Sequence, residues 1–130
     1  MKLEALRVGI DLVEVQAVAS ALDARSAERY LELVYTRSEV QDCTTPGGTV
    51  DAARLAARFA AKEATMKALR VGDRPLPWRS IEVRREPDGS PTLVLSGPAS
   101  ELAGEAQISE FAVSLTHERD YASAVVVAIR

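Results

Sequence analysis

The sequence predicts an α+β fold, on three observations. A strand-like apolar segment lies at 6–13, a long alanine-rich stretch with no Gly or Pro spans 51–69, and from residue 80 onward strand-like runs are interrupted by one short helix. The composition, 47% hydrophobic and 27% charged over 130 residues, is that of an ordinary globular chain, read as a single domain over 1–130.

Leu6 to Val13 alternates, with Val8, Ile10 and Leu12 on one face and Gly9 and Asp11 on the other. Asp is disfavoured inside a strand. Its ordinary role here is to N-cap the helix that follows, with Glu14 three residues on completing a capping box. The functional alternative is a carboxylate turned into a cleft at the strand-to-helix junction. The two are compatible, and the residues by themselves favour the cap. Val15 to Leu22 continues as a short helix, and Ser26 to Tyr35 as a second. Thr36-Arg37-Ser38-Glu39 has the spacing of a capping box. Thr44 to Thr49, with Pro46, Gly47 and Gly48, is a loop.

Asp51 to Leu69 is the long helix, ending near Gly72. Leu55, Phe59, Met66 and Leu69 form one apolar stripe, Glu63 falls on its edge, and Arg58 and Lys62 flank the opposite edge. The ordinary reading of Glu63 is an i, i+4 ion pair with Lys67. Pro75, Pro77 and Trp78 lie in a connection that is not helical. Ser80 to Arg85 and Pro91 to Leu95 are strands of a hairpin turned by Pro87-Asp88-Gly89-Ser90. Ser96-Gly97-Pro98 opens a helix to about Ala106. Phe111, Val113 and Leu115 alternate in a half-buried strand, His117 to Asp120 turn the chain, and the β-branched run Tyr121 to Ile129 is the central strand.

The bulk numbers exclude several classes. A net charge of −3 offers no basic field for nucleic acid. Cys43, the single cysteine, rules out an internal disulfide or a multi-cysteine metal site. The N-terminal residues lack the apolar run of a signal peptide, and no run approaches the ~20 residues of a membrane span. The expectation is a cytoplasmic protein with no membrane partner.

Singly, Asp11, the charges of the long helix and His117 each have a structural explanation. Together, Gly9-Ile10-Asp11, Tyr35-Thr36-Arg37-Ser38-Glu39, Arg58-Phe59-Ala60-Ala61-Lys62-Glu63-Ala64 with Lys67, and Ser114-Leu115-Thr116-His117 resemble, in the right order, the small holo-acyl-carrier-protein synthase class of 4′-phosphopantetheinyl transferases. The resemblance implies that family's fold: an antiparallel sheet packed with one long and several short helices, assembled as a homotrimer with active sites at subunit interfaces. It also implies transfer of the 4′-phosphopantetheine arm of coenzyme A to a serine of an apo acyl carrier protein, releasing adenosine 3′,5′-bisphosphate.

By position, the resemblance makes Asp11 and Glu63 ligands of Mg²⁺ and Asp11, Glu63 and Lys67 the catalytic residues. Glu63 is the candidate proton acceptor, with Asp11 and water left as alternatives. Arg58, Lys67, Thr116 and His117 are assigned to coenzyme A, joined by Gly89 and Pro91 of the hairpin turn reaching across from a neighbouring subunit. Arg29 and Arg37 are assigned to carrier docking. A hard cation suits this set, because Mg²⁺ takes one or two carboxylates together with phosphate oxygens and water.

One departure from the pattern bears on the partner. The position six residues after Asp11, basic in the family, is Ala17, and Leu33 stands where another basic residue is expected. Leu12 to Tyr35 holds four acids (Glu14, Asp23, Glu28, Glu32) against two bases (Arg25, Arg29), net −2. Such a surface steers an acidic fatty-acid carrier poorly. Either docking relies on apolar contacts and on Arg37, or the carrier is a polyketide or other secondary-pathway one. The competing reading is a coenzyme A- and metal-binding module that has lost productive docking. A carrier protein itself is disfavoured by the strand content and the lack of an Asp-Ser-Leu attachment motif.

Overall fold

The alanines of the long helix decide how the chain packs. The computed structural model describes residues 2–130. In it α4 (Ala52–Leu69) lies across one face of a three-stranded antiparallel sheet, order β1-β5-β4, built from β1 (Leu6–Glu14), β5 (Tyr121–Ile129) and β4 (Glu110–His117). Ala60, Ala61, Ala64 and Ala68 meet Ala124, Val126 and Ala128 of β5, small residues on both sides, so helix and sheet approach closely. The hairpin of β2 (Ile81–Arg85) and β3 (Pro91–Leu95) forms a separate two-stranded sheet, whose Val83 joins the same core. The expected α+β order and the central place of Tyr121–Ile129 are both present.

The closest approach is at Gly9. A Cβ there would lie 1.8 Å from the Ala64 carbonyl oxygen and 3.0 Å from the Ala68 amide nitrogen. Only glycine lets β1 lie against α4 at this point.

A second core gathers Val18 of α1 (Val15–Asp23), Val34 of α2 (Ala27–Val34), Tyr35, Cys43 and Leu55. The capping box at Thr36 is present at the start of α3 (Arg37–Asp42), with the Glu39 amide donating to Thr36 Oγ1 at 3.2 Å and the Thr36 amide to Glu39 Oε1 at 2.9 Å. Glu39 does more than cap. It is fully buried, accepts from the Val83 amide at 2.9 Å, and pairs with Lys62 Nζ at 2.7 Å, where Lys62 is also fully buried. Lys62 further donates to the Trp78 and Ile81 carbonyls. Burial lowers the Lys62 pKa and Glu39 opposes the shift. Removing one partner of such a pair strands a buried charge, at about 3–5 kcal/mol. Glu39→Leu should therefore lower the midpoint of thermal unfolding by about nine degrees or more, at roughly 3–5 °C per kcal/mol. A midpoint within two degrees of wild type, on that same scale, would show that the pair contributes nothing.

Several expectations are corrected. Asp11 does not cap α1. β1 continues to Glu14, which occupies the N-cap position without a side-chain bond, and Asp11 pairs with Ala124 inside the strand. Lys62, expected to flank one edge of the apolar stripe, is fully buried, and α4 is covered nearly all round rather than along one stripe. The helix ends at Leu69, with Arg70 rather than a glycine in the left-handed region at φ 57°. Trp78 begins a one-turn 3₁₀ helix, Trp78–Ser80. His117 is still in β4, so the turn is confined to the next three residues. Ser96-Gly97-Pro98 does open a helix, α5 (Gly97–Glu105). The alternating apolar residues of β1 face outward: Val8, Ile10 and Leu12 are each more than 60% exposed.

Candidate active site

Two polar clusters lie on opposite flanks of α4. The first is built on β1. Asp11 shares the inner face of the sheet with Gly9, and α4 presents Glu63 and Lys67 toward it. Lys67 Nζ donates to Asp11 Oδ1 at 3.1 Å and to the Ile10 carbonyl at 2.9 Å. The expected Glu63–Lys67 ion pair is therefore replaced by one across two elements. Glu63, half-buried, has its pKa raised, first by burial and then by the Asp11 carboxylate, with Lys67 pulling it back. Two carboxyls close enough to repel, with one ammonium between the clusters of charge, form a donor set suited to a hard divalent cation. No group of three or more His, Cys, Asp or Glu gathers among the described residues, so protein ligands alone would not fill a coordination shell and water or substrate oxygen must supply the remainder.

The second cluster lines a groove of about 420 Å³ on the β4 side. Arg54 and Arg58 reach it from α4, Arg85 and Gly89 from the β2–β3 hairpin, and Ser114 and His117 from β4. Arg58 is 7% exposed, and its Nε has no hydrogen-bond partner, while Nη1 donates to the Arg54 carbonyl at 3.3 Å. A buried guanidinium with an orphaned N–H beside two further arginines is costly without an anion to bind. The groove has the chemistry to take a phosphate.

The flanks are separated by the helix itself. Arg58 and Glu63, five residues apart, point about 140° from each other around α4. Across the sheet His117 pairs with Ala122, and Ala122 with Val13, so Asp11 and His117 are offset by two strands and one pleat, roughly 12 Å between Cα atoms. The expected constellation is thus divided: Asp11, Glu63 and Lys67 on one side, Arg58, His117, Gly89 and Pro91 on the other. The hairpin turn, expected to reach across to a neighbouring subunit, lines the groove of its own chain. Thr116 is on the outer face of the sheet and lines a second cavity with Leu12 and Tyr121, which His117 also borders. Arg29 and Arg37 are exposed and belong to neither cluster. Arg54 and Arg85 were missed by sequence reasoning. Arg54 stands one helical turn before Arg58, a spacing that signals a shared face; Arg85 had no local signal.

An α+β chain with an arginine-lined anion groove and a carboxylate–lysine cluster on the two sides of one helix has the parts of a phosphoryl-group transferase. Residues 7–126 match the family model of the 4′-phosphopantetheinyl transferase superfamily, to which the chain belongs. Its relatives narrow the class. It is 44% identical to a holo-acyl-carrier-protein synthase of Chloroflexus aurantiacus, over 92% of this chain and 95% of that one, and 41% identical to one of Koribacter versatilis, over 94% and 96%. It superposes on the Helicobacter pylori holo-acyl-carrier-protein synthase in complex with coenzyme A with a TM-score of 0.79 at 30% identity, covering 93% of this chain and 98% of that one. The Mycobacterium tuberculosis acyl carrier protein synthase matches with a TM-score of 0.71 at 36% identity, covering 94% and 95%.

Proposed function

We infer that this chain is a holo-acyl-carrier-protein synthase, transferring the 4′-phosphopantetheine arm of coenzyme A to a serine hydroxyl of an apo acyl carrier protein. The observation that carries the reading is the Arg58 groove: a buried, unsatisfied guanidinium among arginines and a histidine suits the 3′,5′-bisphosphate end of coenzyme A. Asp11 and Glu63 would hold Mg²⁺, which when bound supplies neutralisation of the pyrophosphate oxygens. Lys67 lies within reach of the same oxygens once it leaves Asp11. The serine oxygen forms a bond to the phosphorus on the pantetheine side, the bond from that phosphorus to the bridging oxygen breaks, and adenosine 3′,5′-bisphosphate departs. The serine proton passes to Glu63, directly or through water.

The two flanks are brought together by a homotrimer. Each chain presents a carboxylate flank and an arginine flank, so a head-to-tail ring joins the first of one copy to the second of the next. The outward face of the sheet, with Val8, Ile10 and Leu12 exposed beside Val125 and Val127, supplies the apolar surface such copies cover. No helix among the described residues is long and apolar enough to cross a membrane. A cytoplasmic reaction belongs to this reading because coenzyme A is its substrate. Neither nucleic acid nor membrane is a partner in this reading. A fatty-acid carrier is the first substrate to test, with a polyketide carrier as the second.

Incubation with coenzyme A, Mg²⁺ and apo carrier should add one phosphopantetheine arm to the carrier, read by intact mass, and chelation should stop it. Binding of coenzyme A with no transfer to any of several carriers would favour the binding-module reading. Arg58→Ala should weaken coenzyme A binding about 10- to 100-fold, the size of a lost charge-assisted contact, measured by calorimetry. Unchanged affinity would remove Arg58 from the nucleotide site.

A further inference from the structure

The hairpin forms one wall of the anion groove, and its strands belong to no larger sheet. β2 and β3 pair only with each other, while β1, β5 and β4 form the other sheet. Among the described residues, two hydrogen bonds tie the backbone of these strands to another element, and both end on one buried ion pair. The Val83 amide donates to Glu39 Oε2 at 2.9 Å, and Lys62 Nζ donates to the Ile81 carbonyl. Glu39 and Lys62 meet at 2.7 Å with neither side chain exposed. Lys62 also donates to the Trp78 carbonyl at 3.2 Å, in the 3₁₀ turn that leads into β2. Ile81, Val83 and Arg85 alternate along one face of β2, so the residues held by the pair are in line with the one that reaches the groove. On α4, Lys62 stands one turn after Arg58. The pair therefore bridges the two elements whose arginines share the groove. Its lining holds Arg54, Arg58 and Arg85 and, among the described residues, no acid, so like charge pushes the walls apart until an anion enters.

We propose that Glu39 and Lys62 are positioning residues for coenzyme A, a pair that fixes the hairpin against α4 and so sets the width of the groove shared by Arg58 and Arg85. The proposal rests on the functional reading above. Stability alone does not account for the pair, because a buried ion pair repays its desolvation poorly and apolar residues in place of both partners are often as stable. Its hydrogen bonds do what apolar contact does not: they hold one amide and two carbonyls at fixed points, against the repulsion between the arginines. The carboxylate flank does not depend on it. Ala60, Ala61, Ala64 and Ala68 set α4 on the sheet, and Gly9 sets β1 against it, so Asp11, Glu63 and Lys67 keep their places when the hairpin shifts. Loss of the pair is felt in nucleotide binding and not in the chemical step.

Glu39→Gln combined with Lys62→Met tests this. The double variant leaves no buried charge unpaired, and the Gln amide oxygen still accepts from one of the two N–H groups that Glu39 serves. Assayed well below its unfolding midpoint, it should show a KM for coenzyme A raised about tenfold, with kcat and the KM for apo carrier unchanged within about threefold. A purely structural role gives the other result. Fewer folded molecules lower the apparent kcat and leave the KM for coenzyme A where it was, and that outcome overturns the proposal. Glu39→Gln alone is the milder second variant, which leaves Lys62 on its carbonyls; about a threefold rise in the same KM is expected there. No rise in either variant also overturns the proposal. Hydrogen exchange of the ligand-free protein gives a readout that needs no coenzyme A. Residues 81–95 should exchange faster in the double variant, while 6–14 and 121–129 keep their wild-type protection. Equal loosening of all the strands contradicts the proposal. If the wild type neither binds nor transfers coenzyme A, the functional reading fails, and the exchange pattern still decides whether the pair holds the hairpin.

Discussion

Gly9→Ala destabilises this protein by about 3 kcal/mol or more, the upper end of what overpacking a core costs. The added Cβ stands 1.8 Å from the Ala64 carbonyl oxygen, where roughly 3.3 Å is the closest comfortable carbon–oxygen approach. The obstacle is backbone, so no rotamer change relieves it, and β1 must move off α4 by more than about 1 Å. A domain of this size is stable by about 5–15 kcal/mol, so the loss is a large part of the total. Asp11, two residues on and on the same face, moves with the strand and leaves Lys67. Chemical denaturation should show the fall in midpoint. A wild-type midpoint would mean that β1 and α4 are less closely packed than the Gly9 geometry requires.

Glu63→Gln, by contrast, abolishes transfer without weakening the fold. The loss expected is about 10²- to 10⁴-fold in kcat, the range for removing a general base. The sign of the stability change is opposite to the usual one for a half-buried polar group. A carboxyl whose pKa is raised on folding destabilises the folded state wherever it is ionised, above its unfolded pKa. Gln carries no charge beside Asp11, so the variant should melt at the wild-type temperature or above at pH 7. Asp11→Asn should lose transfer to a similar degree and leave Lys67 without its ion-pair partner. Stopped-assay intact mass and thermal melts check both. Full activity in both variants would remove the carboxylates from the reaction.

Much of this was legible in the sequence because the signals are local. The capping box at Thr36 and Glu39, the long helix, the hairpin turn at Asp88-Gly89 and the strand Tyr121–Ile129 each follow from periodicity or turn chemistry over a few residues. The partners across elements were not legible. Lys62 reads as a surface base until the fold buries it against Glu39, 23 positions earlier in the chain. Lys67 has an acid at i−4, and only the packing of β1 on α4 shows that Asp11 takes its ammonium instead. The assigned site residues were read as one constellation, since sequence order says nothing about which flank of a helix each occupies. Thr116 and His117 show this most sharply: adjacent in a strand, they face opposite sides of the sheet.

That division is the central claim, and subunit mixing tests it. Asp11→Ala leaves a chain with an intact arginine flank, and Arg58→Ala one with an intact carboxylate flank. Refolded together in equal amounts as a ring, they should recover transfer at about one site in four, because that is the chance of an intact flank facing an intact flank. The account predicts recovery well above the sum of the two variants measured separately. Activity that never exceeds that sum, from a mixture shown by mass to contain mixed rings, would place the whole site within one chain.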